Sequence, residues 1–384
     1  MLFLNQTRNE LVVHVDVGGG CLHQSIICQA LNGIKVVSRR GRRTNRSADV
    51  SLSMVATEVW SRPSRAGIVG RMELFPAMPL ADWQDTKATL HRFAQVVGKI
   101  RLAASPRRNH WWNVPFHLTG RGVTTRPMGR AEGPIFTIDF DFVDHQLLVT
   151  SGDGHAASFP LYGQSVASFY RNTLDALAAV GVEMSLERPW PYDLPDSGRP
   201  FAVDTMHASY DTTWATRYWQ VLSQVNLILE EFAATFSGKV SPVHHFWHTF
   251  DIAHTRFSDR RTDLPPQADS VTCEAYSREV ISFGFWFGDD TLPEPAFYSY
   301  TAPEPEGLAG QTLQPSTAEW MARKDSHLAI LRYDDARAEA DPHAAVRAFY
   351  ESAYQAGALR AGWDVAALAC PGGVTDPHHP PLQS

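Results

Sequence analysis

The segment 238–257 reads GKVSPVHHFWHTFDIAHTRF and places four histidines and an aspartate among aromatic residues. Imidazole titrates near neutral pH, so a histidine held beside a carboxylate can act as a general acid or base. We expect His244 to take this role, with Asp251 as one candidate partner. The alternative interpretation is structural, since a buried histidine can serve only as a hydrogen-bonded part of the core.

Two cationic residues and a second carboxylate complete the expected site. Lysine and arginine hold anionic groups, so Lys239 and Arg256 are the expected anion anchors. Glu279 is the alternative carboxylate partner of His244. The other residues expected to bind substrate are His110, Arg121, His207, Trp247 and Tyr298. The structural alternatives are core packing for the tryptophan and ion pairs for the arginines.

Tyr298 belongs to a run, PEPAFYSYTAPEPEG at 293–307, in which aromatic and polar residues alternate between prolines. Alternation with a period of two is typical of a strand. One face of this strand is predicted to line a pocket for a flat ligand. A capped edge strand is the alternative.

Metal binding is a further chemistry that the histidine spacing raises. His244 and His248 would chelate one ion on a helix, but Pro242 and the aromatic and β-branched residues favour a strand over 244–257. Such a strand places His244 and Arg256 on one face and Asp251 on the other. On a strand the two histidines lie about 13 Å apart, too far for one zinc ion with bonds of about 2.1 Å. We therefore expect no metal. A metal-dependent enzyme, the minor alternative, would need His207 and Glu279 as further ligands.

The composition argues against several classes of protein. Residues 1–71 contain ten Lys/Arg and four Asp/Glu, a net charge of +6, which leaves −13 for residues 72–384 in a chain of net charge −7. An acidic body argues against nucleic-acid binding, because phosphate contacts need a basic surface. No apolar run approaches the roughly 20 residues of a membrane-spanning helix, and no secretory signal pattern is found. Four cysteines without a CxxC pair indicate a reducing compartment, so we expect a cytoplasmic protein without membrane or nucleic-acid partners.

Residues 1–71 are expected to form a basic, poorly ordered extension. Within it, 11–37 is predicted to form a strand, a glycine turn, a helix and a strand, and VDVGGGCLHQS resembles the cofactor motif of fungal-type O-methyltransferases that use S-adenosylmethionine. That family has a glycine where Leu22 stands and an acidic residue where Ser38 and its neighbours stand. These departures argue against a working methyltransferase. The sequence therefore assigns no cofactor.

The body is predicted to be an α+β fold of two tandem pseudo-repeats with mainly antiparallel sheets. The segment 98–122, GKIRLAASPRRNHWWNVPFHLTGRG, matches 238–257 with GK on GK, and a constant offset of 135 then places Trp112 on Trp247. Each unit should contain a helix, a GK turn, three strands and a helix. The expected bounds are 72–190 for the first half, 201–370 for the second half, about 258–293 for an insertion and 371–384 for a disordered tail.

From about residue 76 to 365 the body resembles a bacterial family of unknown function. The motifs that carry the resemblance are PLADWQDTKATLH, GKIRL, NHWWNVP, FDFVDH, HASYD, GKVSPVHHFW and EPAFY. The second GK motif of that family continues as Pro-Val-His-Phe-Phe-Trp-Gly-Ser-Phe-Asp, which corresponds to His244, Trp247 and Asp251 here. The other three histidines of the segment depart from the pattern. The resemblance implies no activity, but it makes His244 the histidine to expect in a site.

Two classes of function remain open at this point. The first is an enzyme acting on a small anionic or aromatic substrate in a cleft between the two pseudo-symmetric halves. The second is a non-catalytic protein that binds a small ligand or serves as a scaffold. The sequence does not indicate an oligomeric state.

Overall fold

The computed structural model describes residues 4–7, 10–14, 25–29, 73–129, 133–264 and 267–375. They belong to two compact units, Met1–Val69 and Gly70–Ser384. The strands of the first unit are β1 (Leu4–Thr7), β2 (Glu10–His14) and β3 (Ser25–Gln29). β2 pairs with both neighbours in antiparallel fashion, and β3 stands where the glycine motif predicts a helix. The described part of this unit is therefore a meander, not the parallel βαβ unit of a cofactor-binding glycine turn. The rest of the expected extension lies outside the described residues.

The second unit begins with helix α1 (Leu80–Ala104), followed by a five-stranded antiparallel sheet and helix α2 (Val166–Ala179). The strands are β4 (His117–Leu118), β5 (Gly122–Thr124), β6 (Phe136–Asp141), β7 (Gln146–Ser151) and β8 (Ala156–Pro160). Buried and half-buried residues alternate along β6, as expected of a strand with one face on the core. Ser165 caps α2, because its hydroxyl accepts a hydrogen bond from the backbone N–H of Ser168.

The remainder of the second unit contains a six-stranded antiparallel sheet in the order β13-β14-β12-β11-β10-β9. Its elements are α3 (Thr212–Ala233), β9 (His244–Phe246), β10 (Asp251–Arg261), α4 (Ser270–Ala275), β11 (Arg278–Trp286), β12 (Ala296–Ala302), β13 (Glu319–Ala322), β14 (His327–Arg332), α5 (Tyr333–Ala338), α6 (Pro342–Arg360) and α7 (Val365–Leu368). Asp211 and Asp341 cap α3 and α6 by accepting hydrogen bonds from backbone N–H groups of the first turns. The predicted α+β class with antiparallel sheets is confirmed.

The two sheets meet at the edge strands β4 and β9. Phe116 and His245 form an antiparallel bridge, with N–H to carbonyl oxygen distances of 2.8 and 2.9 Å. One hydrophobic cluster includes Phe93 of α1, Phe140 of β6 and Phe283 of β11. The two halves of this unit therefore share a core.

The residue-level match behind the predicted repeat is wrong at its starting point. Gly98 lies inside α1, whereas Gly238 follows the end of α3, so the two GK pairs do not begin the same element. Gly98 is required for packing: a Cβ there would lie 2.2 Å from the indole of Trp247. Both halves contain a helix, antiparallel strands and a helix in that order. The duplication itself is not established by this order of elements and stays a prediction.

The segment 258–293, expected as an insertion, contains β11, which is a central strand of the six-stranded sheet. The described residues of this segment that lie outside the sheet form the connections before and after β11, and the connection before β11 contains α4. Of the expected tail, 371–375 is described and begins with a short 3₁₀ turn, Pro371–Gly373, while 376–384 lies outside the described residues. Among the helices that the structure describes, none has both the length and the apolar character needed to cross a membrane.

Candidate functional site

A pocket of about 540 Å³ lies on the face of the six-stranded sheet opposite α3 and α6. Its floor is formed by alternate residues of the central strands, because successive side chains of a strand point to opposite faces. On β10 these floor residues are Asp251, Ala253, Thr255 and Phe257. The volume lies within the range of about 300–1,000 Å³ that is usual for small-molecule sites. This aromatic pocket, as we call it below, is the best candidate for a functional site in the described part of the chain.

The position of His244 and Asp251 follows from a hairpin. Residues 247–250 form a turn between β9 and β10, and Phe250 adopts a left-handed conformation with φ of 62°. The register then pairs His244 with Ala253 and Phe246 with Asp251. Cross-strand partners share a face of the sheet, so His244 and Asp251 both line the pocket. A single unbroken strand through 244–257, as expected from the sequence, would have placed these two residues on opposite faces.

Asp251 is held by two hydroxyl donors. The hydroxyl of Tyr298 donates to Oδ2 at 2.5 Å, and that of Thr249 donates to Oδ1. Burial, with the charge of Asp251 second, raises the pKa of Tyr298 well above its usual value. Tyr298 is therefore a neutral phenol that fixes the carboxylate, and its side chain lines the pocket.

A second polar group, the pair of His110 and Lys239, lies at the other end of β10. The Nδ1 of His110 lies 3.1 Å from the carbonyl oxygen of Glu274, which can only accept. Nδ1 must then carry the proton, and Nε2 accepts from Lys239 Nζ at 2.7 Å. Burial, followed by the positive charge of Lys239, lowers the pKa of His110. Lys239 Nζ also lies 5.3 Å from the ring centre of Trp112, which is cation–π distance.

His244 lines the pocket but is only 1% exposed. Burial, with the proximity of His117 second, lowers the pKa of His244 well below its usual value, so the ring is neutral. Its Nδ1 is buried and makes no hydrogen bond with the described residues. The indole N–H of Trp286, another lining residue, is also buried and makes no hydrogen bond with the described residues. Unpaired buried polar atoms are unfavourable, and a bound ligand is one way to pair them.

Ten aromatic side chains line the pocket. The rings that line the pocket belong to Trp111, Trp112, Tyr192, Phe246, Trp247, Phe257, Tyr276, Trp286, Tyr298 and Tyr300. Trp247 is also a packing residue, because its indole N–H donates to the carbonyl oxygen of Val114 at 3.1 Å and its ring covers Gly98. The predicted binding role and the predicted core role of Trp247 are therefore compatible.

Arg256 and Glu279 do not reach the aromatic pocket, contrary to the expected convergence with His244. Arg256 follows Thr255 on β10 and so points to the opposite face, where its Nη2 donates to the carbonyl oxygen of Phe232 in α3. Glu279 accepts hydrogen bonds from Ser258 and Trp363, both at 3.0 Å. Its carboxylate also forms an ion pair with an arginine, Arg260, at 2.7 Å. Neither Arg256 nor Glu279 contacts His244.

Arg121 and His207 lie elsewhere as well. Arg121 forms exposed ion pairs with Asp141 at 2.7 Å and Asp144 at 2.5 Å, the structural role considered for it from the sequence. His207 Nδ1 lies 2.8 Å from Asp204, a fully buried carboxylate. Arg121 therefore belongs to an ion-pair network of the first half. His207 belongs to a separate network in the segment that connects the two halves.

The group of Asp196, Asp204 and His207 has the geometry of a metal site, with one ligand atom from each residue within 4.8 Å of the others. Two guanidinium groups already form ion pairs with this group: Arg92 pairs with Asp196, and Arg199 lies 2.9 Å from the same carboxylate. The arginines neutralise the carboxylates that a cation would need. The group therefore fits an internal ion-pair network better than a metal site.

Several polar residues of the pocket were not singled out from the sequence. The hydroxyls of Thr255 and Ser282 lie 3.0 Å apart on the floor, and those of Tyr276 and Tyr300 lie 3.1 Å apart. A usable signal was present for Tyr300, because it follows Tyr298 by two positions on β12. Tyr276 lies next to α4, outside any strand, and local pattern does not indicate its place.

Comparison with known proteins identifies the family. The model of a family of unknown function, DUF5996, matches residues 75–370, so the chain belongs to that family. No curated protein and no solved structure matches the chain.

Proposed function

We propose that this member of a family without a known activity binds a small, flat, largely apolar molecule in the aromatic pocket. The observation that carries the proposal is the combination of a pocket of about 540 Å³, walls that contain many aromatic rings, and polar groups fixed by hydrogen bonds. Aromatic walls stack well against planar ligands, and a few placed polar groups give orientation.

The polar groups of the pocket suggest how such a ligand would be oriented. Asp251 and Phe257 lie six residues apart on β10, about 20 Å at 3.3 Å per residue. The Asp251 carboxylate accepts hydrogen bonds at one end. At the other end Lys239 does not line the pocket itself, but its ammonium group places positive charge behind the lining residues His110 and Phe257. The favoured ligand therefore carries a hydrogen-bond donor such as an amine or hydroxyl at one end. At the other end it carries an acceptor or an anionic group.

The geometry favours binding over acid–base catalysis by His244. An efficient general acid or base has a pKa near the working pH. Burial instead keeps His244 neutral, with its pKa well below the usual range. His244 can still accept or donate one hydrogen bond to a ligand, so its place in the proposed site is as a binding residue.

The proposal is tested by a thermal-shift screen of planar aromatic acids and amines. Compounds that bind the folded protein raise Tm by an amount that grows with ln(1 + [L]/Kd). Tyr298→Phe removes the hydroxyl that fixes Asp251, and we expect it to weaken the best compound by about tenfold, or 1.4 kcal/mol.

Tyr350→Phe is the matched control for this substitution. Its hydroxyl donates to the carbonyl oxygen of Gly284 at 3.0 Å and is buried, but Tyr350 does not line the pocket. The control should lower stability without changing affinity. Equal loss of affinity in the two variants would contradict the proposed role of Asp251 and Tyr298.

A further inference from the structure

Arg256 is a buried cation on the face of the six-stranded sheet away from the aromatic pocket. The side chain is 1% exposed. Its guanidinium carbon lies 3.8 Å from the ring centre of Phe232 and 4.3 Å from that of Tyr354, so the group is sandwiched between two rings. Such stacking orients a guanidinium and leaves its edge as the surface that can form hydrogen bonds.

Two well-formed hydrogen bonds of Arg256 come from Nη2, and the Tyr354 hydroxyl also lies close enough to interact with the guanidinium. Nη2 donates to the carbonyl oxygen of Phe232 at 2.7 Å and to the hydroxyl oxygen of Thr235 at 2.9 Å. Phe232 lies in the last turn of α3, so the negative end of the helix dipole offsets part of the charge. Nε is buried and has no hydrogen-bond partner among the described residues.

Arg256 forms no ion pair within 4.0 Å among the described residues; burial lowers its pKa to about 10, and the nearby Glu351 charge offsets only part of that effect. The group is therefore charged at neutral pH. Removing a charge from water without a counter-ion is strongly unfavourable. A guanidinium in this position is a ready partner for an anion that arrives from solution.

A cavity of about 180 Å³ adjoins this unpaired cation. Thr235, Tyr354, Gln355 and Cys370 lie in its wall with Arg256. The space holds a few water molecules, at about 30 Å³ each, and is too small for the ligand proposed for the aromatic pocket. We propose that this cavity binds a small oxyanion, a carboxylate or a phosphate, with Arg256 as its anchor.

Glu351 lies in the wall of the same cavity and opposes an anion there. Its carboxylate is exposed and accepts a hydrogen bond from the Gln355 amide at 2.7 Å. It forms no ion pair with Arg256 within the described residues. The bound oxyanion is therefore expected to compete with the negative field of Glu351, and removal of that charge should strengthen binding.

The first experiment measures anion binding directly. The protein is titrated with sodium phosphate and, separately, with sodium acetate, at an ionic strength held constant with sodium chloride. We expect at least one oxyanion to raise Tm along a saturable curve and to release or absorb heat with one site per chain. The arm that saturates at lower concentration identifies the favoured oxyanion. If neither saturates, the proposal is overturned.

Variants locate the site. Arg256→Lys keeps the charge but loses the planar fork, so the affinity for the anion should fall by about tenfold or more. Glu351→Gln should bind the anion more tightly than the natural protein. Glu319→Gln, on β13, changes the net charge equally and is the control, because its partner is Arg332. Equal effects of the two glutamine variants would place the anion elsewhere and refute the proposal, even if the lysine variant does not fold.

Discussion

Acidification should unfold this protein at an unusually mild pH, because several buried histidines are held neutral. Burial lowers the pKa of His91, His117 and His254 to about 3 and that of His245 to about 4. Their hydrogen bonds fit the neutral ring; for example, the Tyr218 hydroxyl and His245 Nε2 lie 2.7 Å apart. Binding a second proton would place a positive charge on each of these rings inside the core, which is unfavourable.

The magnitude follows from proton binding by the two states. Above pH about 6.5 these imidazoles are neutral in both states and contribute no pH dependence. Below it, the unfolded chain binds protons that the folded chain does not, so stability is lost as pH falls toward the folded pKa values of about 3 to 4. At pH 5.5 each histidine lowers the free energy of unfolding by about 1.4 kcal/mol, and four lower it by about 6 kcal/mol. Domains have only about 5–15 kcal/mol in total.

The assay is denaturant unfolding followed by tryptophan fluorescence at a series of pH values from 8 to 4.5. We expect a flat free energy of unfolding above pH about 7 and a steep fall below pH about 6. His254→Gln should reduce the slope by about one proton, or 1.4 kcal/mol per pH unit. Leu227→Gln, at an exposed residue that does not titrate, is the control and should leave the slope unchanged. A free energy of unfolding that stays constant between pH 7 and 5 would refute the reasoning.

Two further predictions concern packing. Gly98→Ala should lower the free energy of unfolding by about 1–3 kcal/mol, because the new Cβ would meet the indole of Trp247 at 2.2 Å. Gly120→Ala is the control, because open space surrounds that residue. Equal losses of unfolding free energy in the two variants, measured by urea unfolding, would contradict the assigned packing. A chain that begins at Met72 should melt at the temperature of the full chain. A chain that begins at Leu80 should have a much lower Tm than the full chain, because it loses the fully buried Phe75, whose truncation alone is worth about 3–5 kcal/mol. A large loss of Tm already in the chain that begins at Met72 would show that the residues before Met72 are needed for stability.

Local patterns predicted the classes of the main elements, because helices and strands place their apolar residues at regular spacings. The helical spacing of Leu90, Phe93 and Val97 corresponds to the buried face of α1. The alternation in FTIDFDF corresponds to β6. The predicted family of unknown function is confirmed, since the family match covers 75–370.

The faces of the site residues could not be predicted, because they depend on one turn without a sequence signal. Phe250 adopts a positive φ although it is neither glycine nor asparagine. The turn reverses the chain, so Asp251 joins the face of His244, while Arg256 points to the opposite side. The straight-strand prediction grouped His244 with Arg256 and separated both from Asp251. One turn therefore accounts for the main error in the predicted site.

The position of Glu279 was misjudged for a different reason. Its segment was expected to be an insertion, but β11 pairs with β10 and β12 along most of its length. Which strands pair within a sheet depends on tertiary structure, which a local pattern does not contain. Tyr298, in contrast, does line the pocket, because alternation within a single strand determines which face a residue occupies.

The central claim is that the aromatic pocket binds a small planar molecule, and calorimetric titration with the best compound of the screen tests it most directly. Ser282→Phe would fill the floor of the pocket, while Ser158→Phe makes the same change at an exposed position on β8. We predict binding of one molecule per chain to the natural protein and to Ser158→Phe. For folded Ser282→Phe we predict affinity reduced by at least about 100-fold, or 2.7 kcal/mol. Unchanged affinity in Ser282→Phe would contradict the claim.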